Sequence, residues 1–125
     1  MKYADKLKSP KWQRKRLEIF QRDDFTCVNC GDKESTLHVH HNIYISGKQP
    51  WEHPKPSLIT LCETCHAIET EFRKTIDAEL IRVLAGSGWT TEQVEYLYCA
   101  VIVGEIKKPD RKTVVKMKKR VEGEL

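Results

Sequence analysis

The stretch Cys27–His66 decides the fold, because it contains three short motifs. It opens with Cys-Val-Asn-Cys at 27–30, continues with Leu-His-Val-His-His at 37–41 and closes with Cys-Glu-Thr-Cys-His at 62–66. Each Cys-x-x-Cys pair can present two sulfurs to one metal from a tight turn. We therefore predict a closed, tetrahedral zinc site with the ligands Cys27, Cys30, Cys62 and Cys65. Since four thiolates fill the coordination sphere, this zinc should stabilise the fold and take no part in chemistry.

Length and charge set the class of protein. A chain of 125 residues allows one compact domain, or a small domain with an extension. The N-terminus lacks the apolar core of a signal peptide, and no apolar run is long enough to span a bilayer. We therefore expect a cytoplasmic protein with no membrane partner, and in a reducing compartment cysteine pairs are typical of metal sites.

The net charge of +4 is unevenly distributed, because basic residues crowd the first and last segments. Such clusters are typical of proteins that bind a phosphate backbone, although a solvated helix face has the same composition. The residues of the first segment that we expect to contact a nucleic-acid backbone are Lys11, Arg14, Lys15, Arg16 and Arg22.

Local signals predict the elements that carry the motifs. Ser9-Pro10 is typical of a helix start, and this basic helix should end at Asp23-Asp24. Alternation over residues 36–41 predicts a strand with His41 on one face and His38 and His40 on the other. A short apolar run from Leu58 leads into the second cysteine pair.

The rest of the chain is predicted to be helical. Apolar residues at every fourth position after Cys65 indicate an amphipathic helix that ends at Gly86. Thr90 begins a capping box for another helix, and a last, basic helix follows from Thr113. We expect Cys99 to be a core residue. The residues expected on the buried face of the helix after Thr90 are Val94, Leu97, Tyr98, Val101 and Ile102.

Three histidines lie outside the zinc site and suggest chemistry of their own. His40 and His66, as neutral imidazoles, could hold one divalent metal and leave positions open for water and a phosphate oxygen. His41 could take a proton from the attacking water, because an imidazole with a pKa of about 6.5 suits a general base at neutral pH. Neighbours on a strand face opposite ways, so His40 and His41 converge only where the strand ends or twists, which Asn42 favours.

The segment 16–69 resembles an HNH endonuclease with the ββα-metal fold, in its four-cysteine zinc subtype. The resemblance rests on the basic helix, on Arg22-Asp23 before the first cysteine pair, on His40-His41, and on the run from Leu58 to His66. It implies that His40 fills the position of the first metal ligand, often an aspartate in the family. His41 then matches the general base, and His66 matches the metal-binding histidine at the helix start.

The family's reaction is metal-dependent hydrolysis of a phosphodiester, usually in DNA, which leaves a 5′-phosphate and a 3′-hydroxyl. The catalytic ion that we expect is Mg²⁺, Mn²⁺, Ni²⁺ or Zn²⁺. Two positions depart from the family pattern. Ser57 stands where an asparagine commonly braces the loop of the base, so it would orient that loop only weakly. Thr70 stands where many members have a second helical histidine, which leaves two protein ligands for the metal.

These observations predict an HNH nuclease domain with its basic helix over residues 1–76 and a helical extension over 77–125. The extension could complete the core, form a homodimer, contact the DNA backbone or dock a protein partner, such as an ATPase in a phage or defence system. Two other functions fit the same residues. One is a non-catalytic zinc-dependent module that binds nucleic acid or acts as an adaptor, and the other is an RNase of the same fold.

Overall fold

The computed structural model describes residues 2–124 of the chain. These residues contain five α-helices and two strands. The strands pair into one antiparallel sheet, so the predicted α+β class is confirmed. Two short 3-10 helices, Pro50–Glu52 and Lys55–Ser57, lie in the loop between the strands. In chain order the longer elements are α1 (Tyr3–Lys6), α2 (Pro10–Arg22), β1 (Leu37–His41), β2 (Leu58–Cys62), α3 (Glu63–Gly86), α4 (Thr91–Ile102) and α5 (Arg111–Glu124).

Helix α2 begins and ends where its local sequence predicts. The Ser9 hydroxyl accepts a hydrogen bond from the backbone N–H of Lys11 at 3.3 Å, and Pro10 is the first helical residue. After Arg22 the chain leaves the helix through Asp24 and Phe25, whose φ angles are +54° and +48°. Aspartate tolerates this left-handed region but phenylalanine rarely adopts it, so the turn that leads to the first cysteine pair is strained.

The register of the sheet fixes which way each histidine of β1 faces. Leu37 pairs with Cys62, and His41 pairs with Leu58 at the other end of the ladder. Side chains alternate along a strand, so Val39 and His41 share one face and His38 and His40 share the other. The first face packs against α2, and the second faces the start of α3.

Two small apolar clusters hold the sheet to its neighbours. Trp12, Ile19 and Leu58 form the cluster between α2 and the sheet. Cys27, Leu61 and Cys62 form the second, beside the cysteine turns. With so few fully buried side chains, the core is small, and a domain of this kind often depends on a metal for stability.

A polar network also ties α2 to β2. The Asp23 carboxylate accepts the backbone N–H of Thr60 at 3.0 Å and forms a paired contact with the Arg22 guanidinium, the shorter bond being 2.8 Å. Arg22 also donates to the carbonyls of Lys55 and Leu58 at 2.7 and 2.6 Å. Because Thr60 is fully buried, water could not replace the Asp23 carboxylate as the acceptor of its backbone N–H.

The chain forms two compact units, Met1–Arg73 and Lys74–Leu125. The first contains both apolar clusters and every histidine. The domain boundary that the sequence analysis places after residue 76 lies, like this one, inside α3.

The prediction for the buried face of α4 is wrong in part. The capping box is confirmed, since Thr90 and Gln93 each accept the other's backbone N–H, at 3.2 and 2.9 Å. However, Tyr98 and Ile102 are 67% and 69% exposed. Cys99, expected in the core, is also exposed, whereas the adjacent Ala100 is buried. Val101 is exposed as well, at 58%. The side chains of α4 that are buried or half-buried are Val94, Leu97 and Ala100, so only the first two of the predicted residues lie on the buried face.

The apolar stripe of α3 is present but is open to solvent. Ile68 and Phe72 are 59% and 58% exposed, and Leu80 is exposed to a similar degree. A period of four residues shows that a helix is amphipathic, but it does not show that the same chain supplies a layer to cover the stripe.

Candidate metal centre and histidine cleft

Four cysteine sulfurs converge in the first unit. The sulfurs of Cys27, Cys30, Cys62 and Cys65 all lie within 4.8 Å of one another. The sulfurs of Cys30 and Cys62 are 3.6 Å apart. Four sulfurs placed tetrahedrally at about 2.3 Å from a zinc ion would be about 3.8 Å apart. The donor set therefore fits a structural metal such as zinc.

Local backbone geometry positions the two cysteine pairs. The first pair lies in a turn closed by the N–H of Gly31, which donates to the Cys27 carbonyl at 2.9 Å. Gly31 has a φ of +79°, which glycine adopts without steric cost. The second pair joins the end of β2 to the first turn of α3, where the Cys65 N–H donates to the Cys62 sulfur at 3.4 Å. Val28 anchors the first turn by donating to the Thr60 carbonyl of β2 at 3.0 Å.

The thiols differ in how readily they ionise. Burial acts to raise the pKa of the Cys27 thiol, but backbone hydrogen bonds, with that of Cys62 first, outweigh it and lower the pKa to about 7. Burial and the neighbouring sulfurs raise the pKa of Cys65. Four thiolates so close together repel one another, so a cation is needed for all four to be deprotonated.

Three imidazoles meet where β1 faces the start of α3. The ring centroids of His40 and His66 are 5.2 Å apart, with the planes at 72°. The rings of His38 and His66 are 5.1 Å apart and nearly parallel. Burial lowers the pKa of His40, as does the neighbouring His66, while burial followed by the proximity of His38 lowers that of His66. His40 and His66 are therefore neutral at pH 7, the state that binds metals.

The distance between His40 and His66 fits a shared metal. A ligating nitrogen lies about 2.1 Å from the ion, and the centre of the ring lies roughly 1.2 Å behind the nitrogen. Two rings at a tetrahedral angle would then have centroids about 5.4 Å apart. The His40 and His66 rings, 5.2 Å apart, are close to this separation, so the pair fits a divalent metal without movement of the backbone.

His41 lies on the other face of β1 in a tight aromatic setting. It is 5% exposed and stacks on Trp12 and on Tyr44, with centroids 5.0 and 5.2 Å away. Its Nε2 is 3.1 Å from the carbonyl oxygen of Pro50, and the ring of His53 meets it edge-on at 4.8 Å. Burial lowers the pKa of His41, with the Pro50 carbonyl opposing this effect and His53 adding to it.

One cleft of about 340 Å³ brings these histidines together. Although His40 and His41 belong to opposite faces of β1, both line it, because the strand ends at His41. The side chains that line the cleft are Tyr3, Leu7, Trp12, Arg16, His38, Val39, His40, His41, Tyr44 and His66.

Two basic residues of α2 lie close to this cleft or to its aromatic wall. Arg16 lines the cleft, donates to the Gln13 side chain at 2.6 Å and lies over the ring of Phe20. The ammonium group of Lys11 lies 5.7 Å from the centre of the Trp51 ring. Arg16 therefore places positive charge beside the histidines, whereas Lys11 lies against Trp51, which does not line the cleft.

The other basic residues of α2 differ in how available they are for a phosphate contact. Arg14 is exposed and Lys15 is half-buried. Arg22 donates four hydrogen bonds to the protein itself, in the network that ties α2 to β2. Its guanidinium therefore serves the fold, and Arg22 is a weaker candidate for a phosphate contact than its neighbours.

The two positions that depart from the family pattern do not contribute side chains to the cleft. The Ser57 hydroxyl donates to the Pro54 carbonyl at 2.7 Å, and no contact with His41 is present among residues 2–124. The Ser57 carbonyl instead accepts the N–H of Asn42 at 2.9 Å. Thr70 donates to the carbonyl of His66 at 2.9 Å, one turn earlier in α3.

Three residues near the site escape the sequence analysis. His53 looks like a loop residue among prolines, yet it is buried, with Nδ1 2.9 Å from the Gln49 carbonyl and Nε2 accepting the Ile45 N–H at 3.1 Å. Tyr3 lines the cleft, and burial together with its side-chain hydrogen bond to Tyr44 raises its pKa to about 12. The Pro50 carbonyl could not be found from the side-chain pattern, because it is a backbone group.

The fold and the cysteine cluster together define a small α+β protein with a four-cysteine site that could hold a structural metal such as zinc. No protein-family model, curated protein or solved structure matches the chain. None of the helices within residues 2–124 is long and apolar enough to cross a membrane.

Proposed function

We propose that this protein is an HNH endonuclease that uses a divalent metal to hydrolyse phosphodiester bonds in DNA, leaving a 5′-phosphate and a 3′-hydroxyl. The four cysteines would hold a structural zinc, and the order β1–β2–α3 would form a ββα-metal core. The observation that carries the proposal is the shared cleft of His40, His41 and His66. Two of these residues offer metal ligands and the third offers a base, which is the set that hydrolysis of a phosphodiester requires.

His40 and His66 would hold the catalytic ion. The separation of the two rings fits a shared ion. The ring nitrogens of both histidines make no hydrogen bond within residues 2–124. A divalent cation bound there supplies positive charge to the phosphate and to the departing oxygen.

His41 would act as the general base through Nδ1. A carbonyl oxygen can only accept, so the contact with Pro50 requires that Nε2 carries the proton and leaves Nδ1 with a free lone pair. Because burial lowers its pKa, His41 is neutral at pH 7 and can take a proton from water. Stacking on Trp12 and Tyr44 holds the ring in this orientation.

The charge around the cleft supports an anionic substrate. Arg16 lines the cleft and Lys11 lies on the same helix, so both could neutralise phosphates on either side of the scissile bond. Contacts of this kind bind the backbone without reading bases. We therefore expect cleavage with little sequence preference by this domain itself.

Plasmid cleavage tests the proposal. The zinc-loaded protein is incubated with supercoiled plasmid and Mg²⁺, Mn²⁺, Ni²⁺ or Zn²⁺, with and without chelator. His41→Ala should lower the rate by about 10²- to 10⁴-fold, the usual contribution of a general base. His41→Gln is the matched variant, since its amide can donate to the Pro50 carbonyl but has no basic nitrogen. Both should keep the zinc content and DNA affinity of the parent, and parental cutting by either variant would refute the assignment of the base.

The same assay distinguishes the other functions. A parallel reaction with structured and single-stranded RNA tests the RNase alternative. A parent protein that binds DNA but cuts neither substrate with any of the four metals would instead be a non-catalytic binding module. In that case His41→Ala should leave every measured property unchanged apart from stability.

A further inference from the structure

We propose that His38 is the third protein ligand of the catalytic metal, beside His40 and His66. The inference rests on the proposed function and adds a residue that neither the spacing of the motifs nor the resemblance assigns. It gives the site a set of three imidazoles in place of the pair.

His38 lies as close to His66 as His40 does, although its ring is nearly parallel to that of His66 and the ring of His40 is at 72° to it. Both side chains lie on the face of β1 that meets α3, since they are two residues apart on the strand. The ring of His38 is 5.1 Å from that of His66, and the ring of His40 is 5.2 Å away. Both values are close to the separation of about 5.4 Å for two imidazoles at tetrahedral positions on one ion. All three rings line the same cleft.

The ring nitrogens of His38, His40 and His66 are available. Within residues 2–124 none of them makes a hydrogen bond, whereas His41 and His53 use theirs on backbone groups. Buried or half-buried polar groups usually find a partner, so a set of neighbouring unpaired imidazole nitrogens indicates a ligand from outside the chain. One metal ion would take the unprotonated nitrogen of each of the three rings.

Helix α3 offers no competing third ligand. The side chain one turn after His66 is Thr70, which is engaged with the His66 carbonyl at 2.9 Å. The carboxylate of Glu69 accepts two hydrogen bonds from Arg73, at 2.8 and 3.2 Å. The remaining donor that faces His66 is therefore on the strand, at His38.

The three rings must rotate to bind an ion. Within residues 2–124 the four cysteines form the only group of three or more ligand residues whose donor atoms all lie within 4.8 Å of one another. Rotation about the Cβ–Cγ bond of a histidine is a soft motion, and the rings of His38 and His40 already lie at a suitable distance from that of His66. The binding of one ion therefore requires the rings to turn on the present backbone. Three neutral ligands would leave the full +2 charge of the ion to act on the phosphate, and open positions for phosphate and water.

Nickel binding tests this inference apart from activity. The protein with its four-cysteine site filled by zinc is titrated with Ni²⁺ by calorimetry, since nickel favours imidazole ligands. His38→Phe is the informative variant, because phenylalanine can stack on His66 but cannot ligate. Its Ni²⁺ affinity should fall by about tenfold or more, whereas His38→Asp, which restores a ligand, should bind much more tightly than His38→Phe. Circular dichroism and zinc content should be unchanged in both.

Three outcomes separate the two proposals. If His38→Phe binds Ni²⁺ as tightly as the parent while the parent cuts plasmid, His38 is a packing residue and the nuclease proposal survives. If the parent binds no ion beyond the zinc and cuts nothing, both proposals fail. If His38→Phe does not fold, NMR of the imidazole nitrogens in the parent protein tests the inference instead. The ring nitrogen of His38 should then shift with those of His40 and His66 when Zn²⁺ is added, and an unshifted His38 would overturn the inference.

Discussion

Replacing Asp23 by alanine should lower the free energy of unfolding by about 1–4 kcal/mol. The variant leaves the N–H of Thr60, which is fully buried, without a partner, and an unsatisfied buried donor costs about 1–3 kcal/mol. Loss of the partly exposed pair with Arg22 adds up to about 1 kcal/mol. Asp23→Asn can still accept from Thr60, so it should lose only about 1 kcal/mol.

Urea denaturation of the zinc-loaded protein measures this difference. Glu18→Ala is the matched control on the same helix, because Glu18 forms only an exposed ion pair with Lys55 at 3.3 Å. This control should change stability by less than about 1 kcal/mol. Equal losses in Asp23→Ala and Glu18→Ala would show that the network between α2 and β2 contributes no more than an ordinary surface pair.

The effect of Asp23 should also depend on pH in a defined direction. Burial acts to raise the pKa of Asp23, but the hydrogen bonds from Arg22 and Thr60 outweigh it and hold the pKa below its ordinary value. A carboxylate with a lowered folded pKa stabilises the protein above its unfolded pKa, about 3.9, and loses that contribution as the pH falls through the folded value. The difference between the parent and Asp23→Ala should therefore be constant near neutral pH and shrink below about pH 4.

Four further variants test the cysteine cluster, the loop between the strands and the second unit. Cys27→Ser should abolish stoichiometric zinc binding and, like chelation of the parent, lower the circular dichroism signal of the folded state. Ser57→Ala should change the plasmid cleavage rate by less than about threefold, because the hydroxyl contacts only the Pro54 carbonyl. His53→Ala should lower the free energy of unfolding by about 1–3 kcal/mol in urea, since it leaves two partly buried backbone groups without their partner. Thr90→Ala should destabilise α4 by about 1 kcal/mol, seen as faster amide exchange in its first turn.

Local signals in the sequence were sufficient to predict where several helices begin. Pro10 begins α2 and Thr90 caps α4 as predicted, because a cap depends only on residues within a few positions of the helix end. The spacing of the cysteines likewise predicted their cluster, since two short turns determine where four sulfurs point. The buried face of α4 was not predictable to the residue. A face is chosen by what packs against it, and Ala100 contributes too little apolar area to show in the pattern.

The histidine cleft could be predicted from the sequence only in part, because some of its contacts depend on tertiary structure. Alternation along β1 placed His40 and His41 on opposite faces, and the end of the strand at His41 is what allows both to reach one cleft. By contrast, the aromatic setting of His41 comes from Trp12 of α2 and Tyr44 of the loop. Neither contact has a signal in the sequence around the histidines, because each joins segments that only the fold brings together.

Backbone groups around the loop between the strands explain how His41 is oriented without an asparagine at position 57. The carbonyl of Ser57 holds the N–H of Asn42, which fixes the residue immediately after His41. His53 accepts the Ile45 N–H at Nε2, so its Nδ1 must donate to the Gln49 carbonyl, and this bridge closes the loop next to Pro50.

The carbonyl oxygen of Pro50 therefore orients His41, and the identity of the side chain at position 57 should matter little to the proposed general base. On this reasoning Ser57→Asn should not raise the cleavage rate, whereas loss of the His53 bridge should lower it together with stability. A cleavage rate for Ser57→Asn well above that of the parent would show instead that the Pro50 carbonyl is an inadequate substitute for the asparagine side chain of the family.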